Sequence, residues 1–209
     1  MIHFHPSKIN QQIKSVALDS AKTKLKENFY DLYHTLTHHE QVLGNCRQIV
    51  EQEGLEVDMD ILEIACYWHD VFKGKGENEK QLLKTALSET GLDEEDVNKV
   101  VKIIEEHSFG KVQTLEESKV LYDADKIELV SIPRWKYVFD EYDKGNVSLE
   151  ERDRYINEWN RRMPLLENHL HYSSSNLIFR NRLKEFKAWL KSIDKLDGNG
   201  DFILEIDSK

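Results

Sequence analysis

An apolar helical run, Ile61-Leu62-Glu63-Ile64-Ala65-Cys66-Tyr67-Trp68, ends on a histidine and an aspartate, His69-Asp70. A segment this apolar belongs in a core. Burying an imidazole and a carboxylate side by side at its inner end is unfavourable unless something compensates them. A divalent cation does so, and histidine plus carboxylate is a borderline-hard donor set that suits one.

The rest of the chain reads as helices arranged to bury that run. Ile13, Val16-Ala17, Ser20-Ala21 and Leu25 recur at helical spacing within 9–33, and Val42, Cys46 and Ile49 do so within 38–53. Gly54 is the natural stop of the second helix, and Asp58 or Asp60 can cap the third, expected over 61–71. A glycine-rich loop, Phe72-Lys73-Gly74-Lys75-Gly76, precedes helices expected over 78–89, 94–107, 118–132, 149–168 and 175–193, with Pro133 halting the one before it. Few runs alternate at period two, and the chain carries only 3 prolines and 9 glycines, so the expected fold class is all-α. One domain is expected over 1–209, with a core at about 30–132 and additional C-terminal helices at about 148–193. Pocket specificity is expected from the aromatic stretch Trp135–Tyr142 and the late helices.

Charge limits the partners. The formal net charge of −10 argues against nucleic-acid polymers and membrane surfaces, though a metal and a few local cations can reverse the field inside one pocket. Cys46 and Cys66 both fall on inward helical stripes and are read as buried free thiols rather than a disulfide. No signal-peptide pattern opens the chain, and no run approaches the roughly 18 apolar residues of a membrane span, so the chain is read as cytoplasmic. In the tail, Asp197-Gly198-Asn199-Gly200-Asp201 invites comparison with a calcium loop. Phe202 and Ser208 stand where such a loop needs its glycine and its last glutamate, so a turn before a short strand-like end, 202–206, is expected instead.

Three stretches each present a ligand-capable group from an apolar helix face. His38 continues the stripe Val42, Cys46, Ile49; His69 and Asp70 lie one turn after Ala65 and Cys66; Asp125 lies between Leu121 and Leu129. Two imidazoles and two carboxylates can therefore converge on one ion. Spacing alone does not choose between Asp123 and Asp125.

The order of these residues resembles the signature of the HD-domain metal-dependent phosphohydrolase superfamily. Tyr33-His34-x-x-x-His38-x-x-x-Val42 is similar to its first motif, His69-Asp70-Val71-Phe72-Lys73 to its His-Asp-x-x-Lys form, and Asp123-Ala124-Asp125-Lys126-Ile127 to its Asp-Ala-Asp-Lys-Leu form. The likeness spans roughly 34–128, and 163–190 is similar to the C-terminal helices of small bacterial members. It implies an HD-like helical bundle with His38, His69, Asp70 and Asp125 as metal ligands, Asp123 being left to a supporting or capping role. It implies one divalent ion, with Mn, Mg, Fe and Ni as candidates.

The implied reaction is hydrolysis of a small phosphate ester, a nucleotide among the candidates, by water that the metal activates. Asp70 would both ligate and take a proton, Lys73 would hold a phosphate oxygen, and His34 would protonate the leaving oxygen as in phosphodiesterase-like members. His107 stands where two-metal members carry extra histidines. Because only one such residue is found there, one metal is favoured and His107 is assigned to the substrate pocket. Arg182, with Arg180 beside it, is the late-helix candidate for a phosphate contact, and Glu77 and Glu79 could orient a water. Two other readings follow from the same residues: an HD-type di-iron oxygenase, which needs a second histidine-rich ligand set, and a metal-containing ligand-binding or sensor protein.

Overall fold

The computed structural model describes residues 9–28, 30–166, 169–196 and 201–203. Among them the fold is all-α. The helices are α1 (Gln11–Glu27), α2 (Leu36–Glu53), α3 (Met59–Trp68), α4 (Glu79–Ser88), α5 (Glu94–Glu106), α6 (Glu116–Ile127), α7 (Ile132–Asp143), α8 (Leu149–Leu166) and α9 (Ser173–Ser192). The chain divides into two compact units, Met1–Asp125 and Lys126–Lys209.

In the first unit α3 is the centre, packed against α1, α2 and α5, with α4 on α5. Its sequence requires that place. Ile61, Leu62, Ile64, Ala65 and Cys66 are fully buried, so the helix is apolar nearly all round and cannot face water on any side. Asp58 caps it by accepting from the Asp60 and Ile61 amides, and Trp68 donates its indole N–H to the Ala17 carbonyl at 3.0 Å, tying α3 to α1. The stripe His38, Val42, Cys46, Ile49 faces inward on α2, which ends where Gly54 takes the left-handed conformation (φ 62°). Cys46 and Cys66 are free thiols, as expected, with sulfurs 3.4 Å apart in the core.

The third helix, expected over 61–71, runs Met59–Trp68, and two boundaries differ by more than that. The first helix stops at Glu27 rather than Tyr33. The Asp31 carboxylate takes the backbone N–H groups of Tyr33 (2.8 Å) and His34 (3.1 Å), a local alternative to helical hydrogen bonds. The helix expected over 118–132 ends at Ile127, a single 3₁₀ turn (Glu128–Val130) follows, and Pro133 opens α7 instead of closing its predecessor. Proline lacks an N–H that the first turn of a helix does not use, so it suits that place.

In the second unit Trp135 of the aromatic stretch is core, Phe139 and Tyr142 are half-buried and Tyr137 is exposed. Trp135 packs with Phe186 and Phe202 at centroid distances of 6.0 and 4.8 Å, and Trp135 and Trp159 both donate to the Leu129 carbonyl at 2.9 and 3.0 Å. Phe202 forms an isolated antiparallel bridge with Leu196, while 197–200 and 204–209, which hold most of the calcium-like run and of the strand-like end, lie outside the described residues.

Replacing Ile64, fully buried on α3, by alanine should cost about 2–5 kcal/mol in denaturant unfolding with an unchanged slope.

Candidate metal centre

The end of α3 builds the site. His69 is its C-terminal cap and Asp70 the next residue. The His69 Nδ1–H donates to the Cys66 carbonyl at 2.7 Å, which fixes the ring and leaves Nε2 as a bare electron pair. On α2, Thr35 caps the helix through the His38 amide and sets His38 in the first turn. The two imidazoles meet Nε2 to Nε2 at 3.3 Å. Asp70 Oδ2 lies 2.9 Å from His69 Nε2 and 3.7 Å from His38 Nε2, and Asp125 Oδ1, on α6, lies 3.4 Å from His38 Nε2 and 4.0 Å from His69 Nε2. The structure thus brings together His38, His69, Asp70 and Asp125. Asp123 is fully buried and stands in neither of the two donor clusters.

The donors fit a divalent cation. Two carboxylate oxygens each lie within 4.0 Å of the same two ring nitrogens, His69 and Asp70 are buried, and Asp70 Oδ2 has no hydrogen-bond partner. Such an array of electron pairs is unfavourable without a cation or protons to share. Burial alone would raise the Asp70 pKa, but His69, Lys73 and His34 around it hold the carboxyl well below its ordinary value. Burial would lower the His69 pKa, and Asp70 and Asp125 outweigh it, leaving the imidazole above its usual range. The nitrogen and oxygen mix matches the Mn, Mg, Fe or Ni expectation without singling out one ion.

A second layer surrounds this centre. Lys73 Nζ donates to Asp70 Oδ1 at 2.9 Å and to His34 Nε2 at 2.8 Å. His34 in turn donates from Nδ1 to the buried Asp31 carboxylate at 2.6 Å. Burial, with Lys73 adding to it and Asp70 opposing, brings the His34 pKa down to about 4, so the ring is neutral near pH 7. The loop bearing Lys73 is pinned twice: Glu79 accepts from the Gly74 amide at 2.8 Å, and the Tyr30 ring covers Gly74 so closely that a Cβ there would lie 2.4 Å from it. Gly74 also has φ 83°, so this position needs glycine on both counts. Glu79 is therefore a brace for the loop, and Glu77 is exposed in the 3₁₀ turn before α4.

A cavity of about 510 Å³ opens beside His69 and Lys73, walled by Trp68, Phe72, Leu83 and Ile104, with Lys111 and Val112 also lining it. His107 lines it too. It is buried, sets its ring edge-on to His69 at 5.1 Å and donates from Nδ1 to the Ile104 carbonyl. Arg182 lies in the second unit, where its guanidinium pairs with Glu128 at 3.2 Å.

Two residues escaped the sequence reading. Asp31 falls inside the expected helix, although an aspartate that takes the backbone N–H two residues on is a known turn former. His39 is fully buried against His38 and His69, with ring centroids at 5.4 and 4.5 Å; the His-His doublet was its only signal.

Comparison with known proteins agrees with this geometry. The HD domain family model matches residues 35–129. Among solved structures, a Lactobacillus plantarum protein is similar with a TM-score of 0.68 at 16% identity, over 89% of this chain and 97% of its own. Bacillus subtilis YpgQ is similar with a TM-score of 0.60 at 19% identity, over 86% and 97%. A predicted HD superfamily hydrolase from an uncultured Thermotogales bacterium gives 0.55 at 16%, over 88% and 90%. At these identities the likeness is one of fold. No curated protein matches the chain in sequence.

His69→Ala and Asp70→Ala should each abolish bound divalent metal, measured by elemental analysis of the purified protein, with helical circular dichroism nearly intact.

Proposed function

We propose that this chain, whose residues 35–129 match the HD domain family model, is a metal-dependent phosphohydrolase acting on a small phosphate ester. The observation that carries the reading is the meeting of His38, His69, Asp70 and Asp125, with the Lys73 ammonium on the second oxygen of Asp70. These four side chains would hold one divalent ion, which when bound supplies Lewis acidity and a lowered pKa for water.

The chain's own residues do the rest. Asp70, kept ionised by its cationic neighbours, holds the cation. The same field makes it a weak proton acceptor, so its ligand role outweighs the base role the motif suggests. Lys73 stands beside the centre on a braced loop, where its N–H groups meet a phosphoryl oxygen as charge builds. His34, neutral and with its Nδ1–H held by Asp31, accepts a Lys73 N–H at Nε2, so it positions the ammonium, and Lys73 rather than His34 is the donor available to a leaving oxygen. The cavity beside Lys73 joins aromatic and aliphatic walls to side chains of both signs, Glu77, Glu79, Glu105 and Glu106 among them, so a phosphate ester with a bulky organic group would set its phosphate at the Lys73 and metal-centre end. Nucleotides belong to that class, and YpgQ has been crystallised with ADP. His107 would line the organic side of this pocket.

A screen of the metal-loaded protein against phosphorylated metabolites tests the reading. Release of inorganic phosphate or a phosphomonoester, with one metal per chain and no oxygen consumption, is the expected result. Two irons per chain with oxygen-dependent turnover would replace it by the di-iron reading, and a bound but unconverted ligand by the sensor reading. Lys73→Ala should lower kcat by roughly 10²-fold, or raise KM, at unchanged metal occupancy.

A further inference from the structure

His39 stands next to a metal-ligand candidate yet belongs to none of the family-like motifs. It is completely buried. Its Nδ1–H donates at 2.8 Å to the Cys66 carbonyl, the same oxygen that receives the His69 Nδ1–H at 2.7 Å. One backbone carbonyl thus sets both rings in the same tautomer, with Nδ1 protonated and Nε2 carrying a bare electron pair. His69 directs that pair at the centre. The Nε2 of His39 is buried and has no hydrogen-bond partner.

Buried polar atoms are nearly always satisfied, so an orphaned imidazole nitrogen next to a cation site calls for a reason. A phenylalanine or leucine would fill the space without it. The geometry supplies the reason: His39, His69 and Asp70 offer donor atoms that all lie within 4.8 Å of one another, as do His38, His69 and Asp125. The two sets share His69 and are linked by the His38–His69 contact of 3.3 Å.

We infer that His39 is a further ligand of the ion held by His38, His69, Asp70 and Asp125, an inference that rests on the metal-centre reading above. The donor set becomes three imidazole nitrogens and two carboxylate oxygens. That set is softer than the motif residues alone provide. It favours Fe²⁺, Co²⁺, Ni²⁺ or Zn²⁺ over Mg²⁺, and it leaves less of the coordination sphere open to water and substrate.

The test uses Co²⁺ and Mg²⁺ as probes on the full chain. Co²⁺ titration followed by visible absorption should show His39→Phe binding Co²⁺ roughly tenfold or more weaker than wild type, with altered bands, while Mg²⁺ affinity in competition changes little. X-ray absorption of the Ni²⁺-loaded wild-type protein needs no variant and should count three imidazoles. His39→Phe should reduce the count by one, and His107→Phe should not. Two imidazoles in the wild type, or an unchanged spectrum in a folded His39→Phe, overturns the assignment while leaving the four-residue centre standing. A wild-type protein that takes up neither metal instead removes the centre itself.

Discussion

The centre depends on how one helix ends. The last carbonyls of a helix have no partner within it, and in α3 one of these, on Cys66, receives N–H groups from His69 and His39. A carbonyl that needs donors meets two imidazoles that need a fixed tautomer. The same oxygen terminates the helix, orients His69 and turns its Nε2 toward His38. Because α3 is buried nearly all round, that oxygen is held by the whole first unit rather than by a loop. A site on a packed helix end is more rigid than one on exposed loops, and metal coordination and phosphoryl transfer both require that rigidity.

Residues that lie on an apolar stripe were legible in the sequence. His38 follows the ridge of Val42, Cys46 and Ile49, and His69, Asp70 and Asp125 each extend an apolar face, so periodicity alone carried them inward. The structure then separates Asp125, 3.4 Å from His38, from Asp123, a choice that spacing left open. What escaped lies off the stripes or in turns. His39 sits one residue around the helix from His38, where a helical wheel gives no signal. Asp31 acts through its side chain on the backbone, which helix periodicity does not register. Pro133 was misplaced because a proline that ends one helix and a proline that opens the next look alike in sequence.

The net charge of −10 bears on the substrate less than its distribution does. Of the cations lining the cavity, Lys80 is committed to Glu105 at 2.9 Å and Lys73 to Asp70. Lys73 is the one that touches the metal centre. Its ammonium contacts an aspartate oxygen and a neutral imidazole where the centre meets the cavity. An acidic surface repels polyanions at long range, yet on the proposed reading Lys73 and an ion beside it would govern the field inside the pocket.

The thiols show why so much chemistry gathered in one core leaves its neighbours inert. Cys46 and Cys66 touch at 3.4 Å, well beyond a disulfide bond of about 2.05 Å, and burial pushes the Cys46 thiol well above its ordinary pKa. A buried thiol with so little thiolate neither binds metal well nor oxidises readily. Cys66 contributes to the centre through its backbone carbonyl, while its sulfur packs against Cys46. The separation matters, because a thiolate this near the cluster would compete with the carboxylates for the cation and draw it off the His38–His69 pair. The apolar ridge that carries His69 and Asp70 inward packs that sulfur against Cys46, and the centre draws on the backbone of this residue.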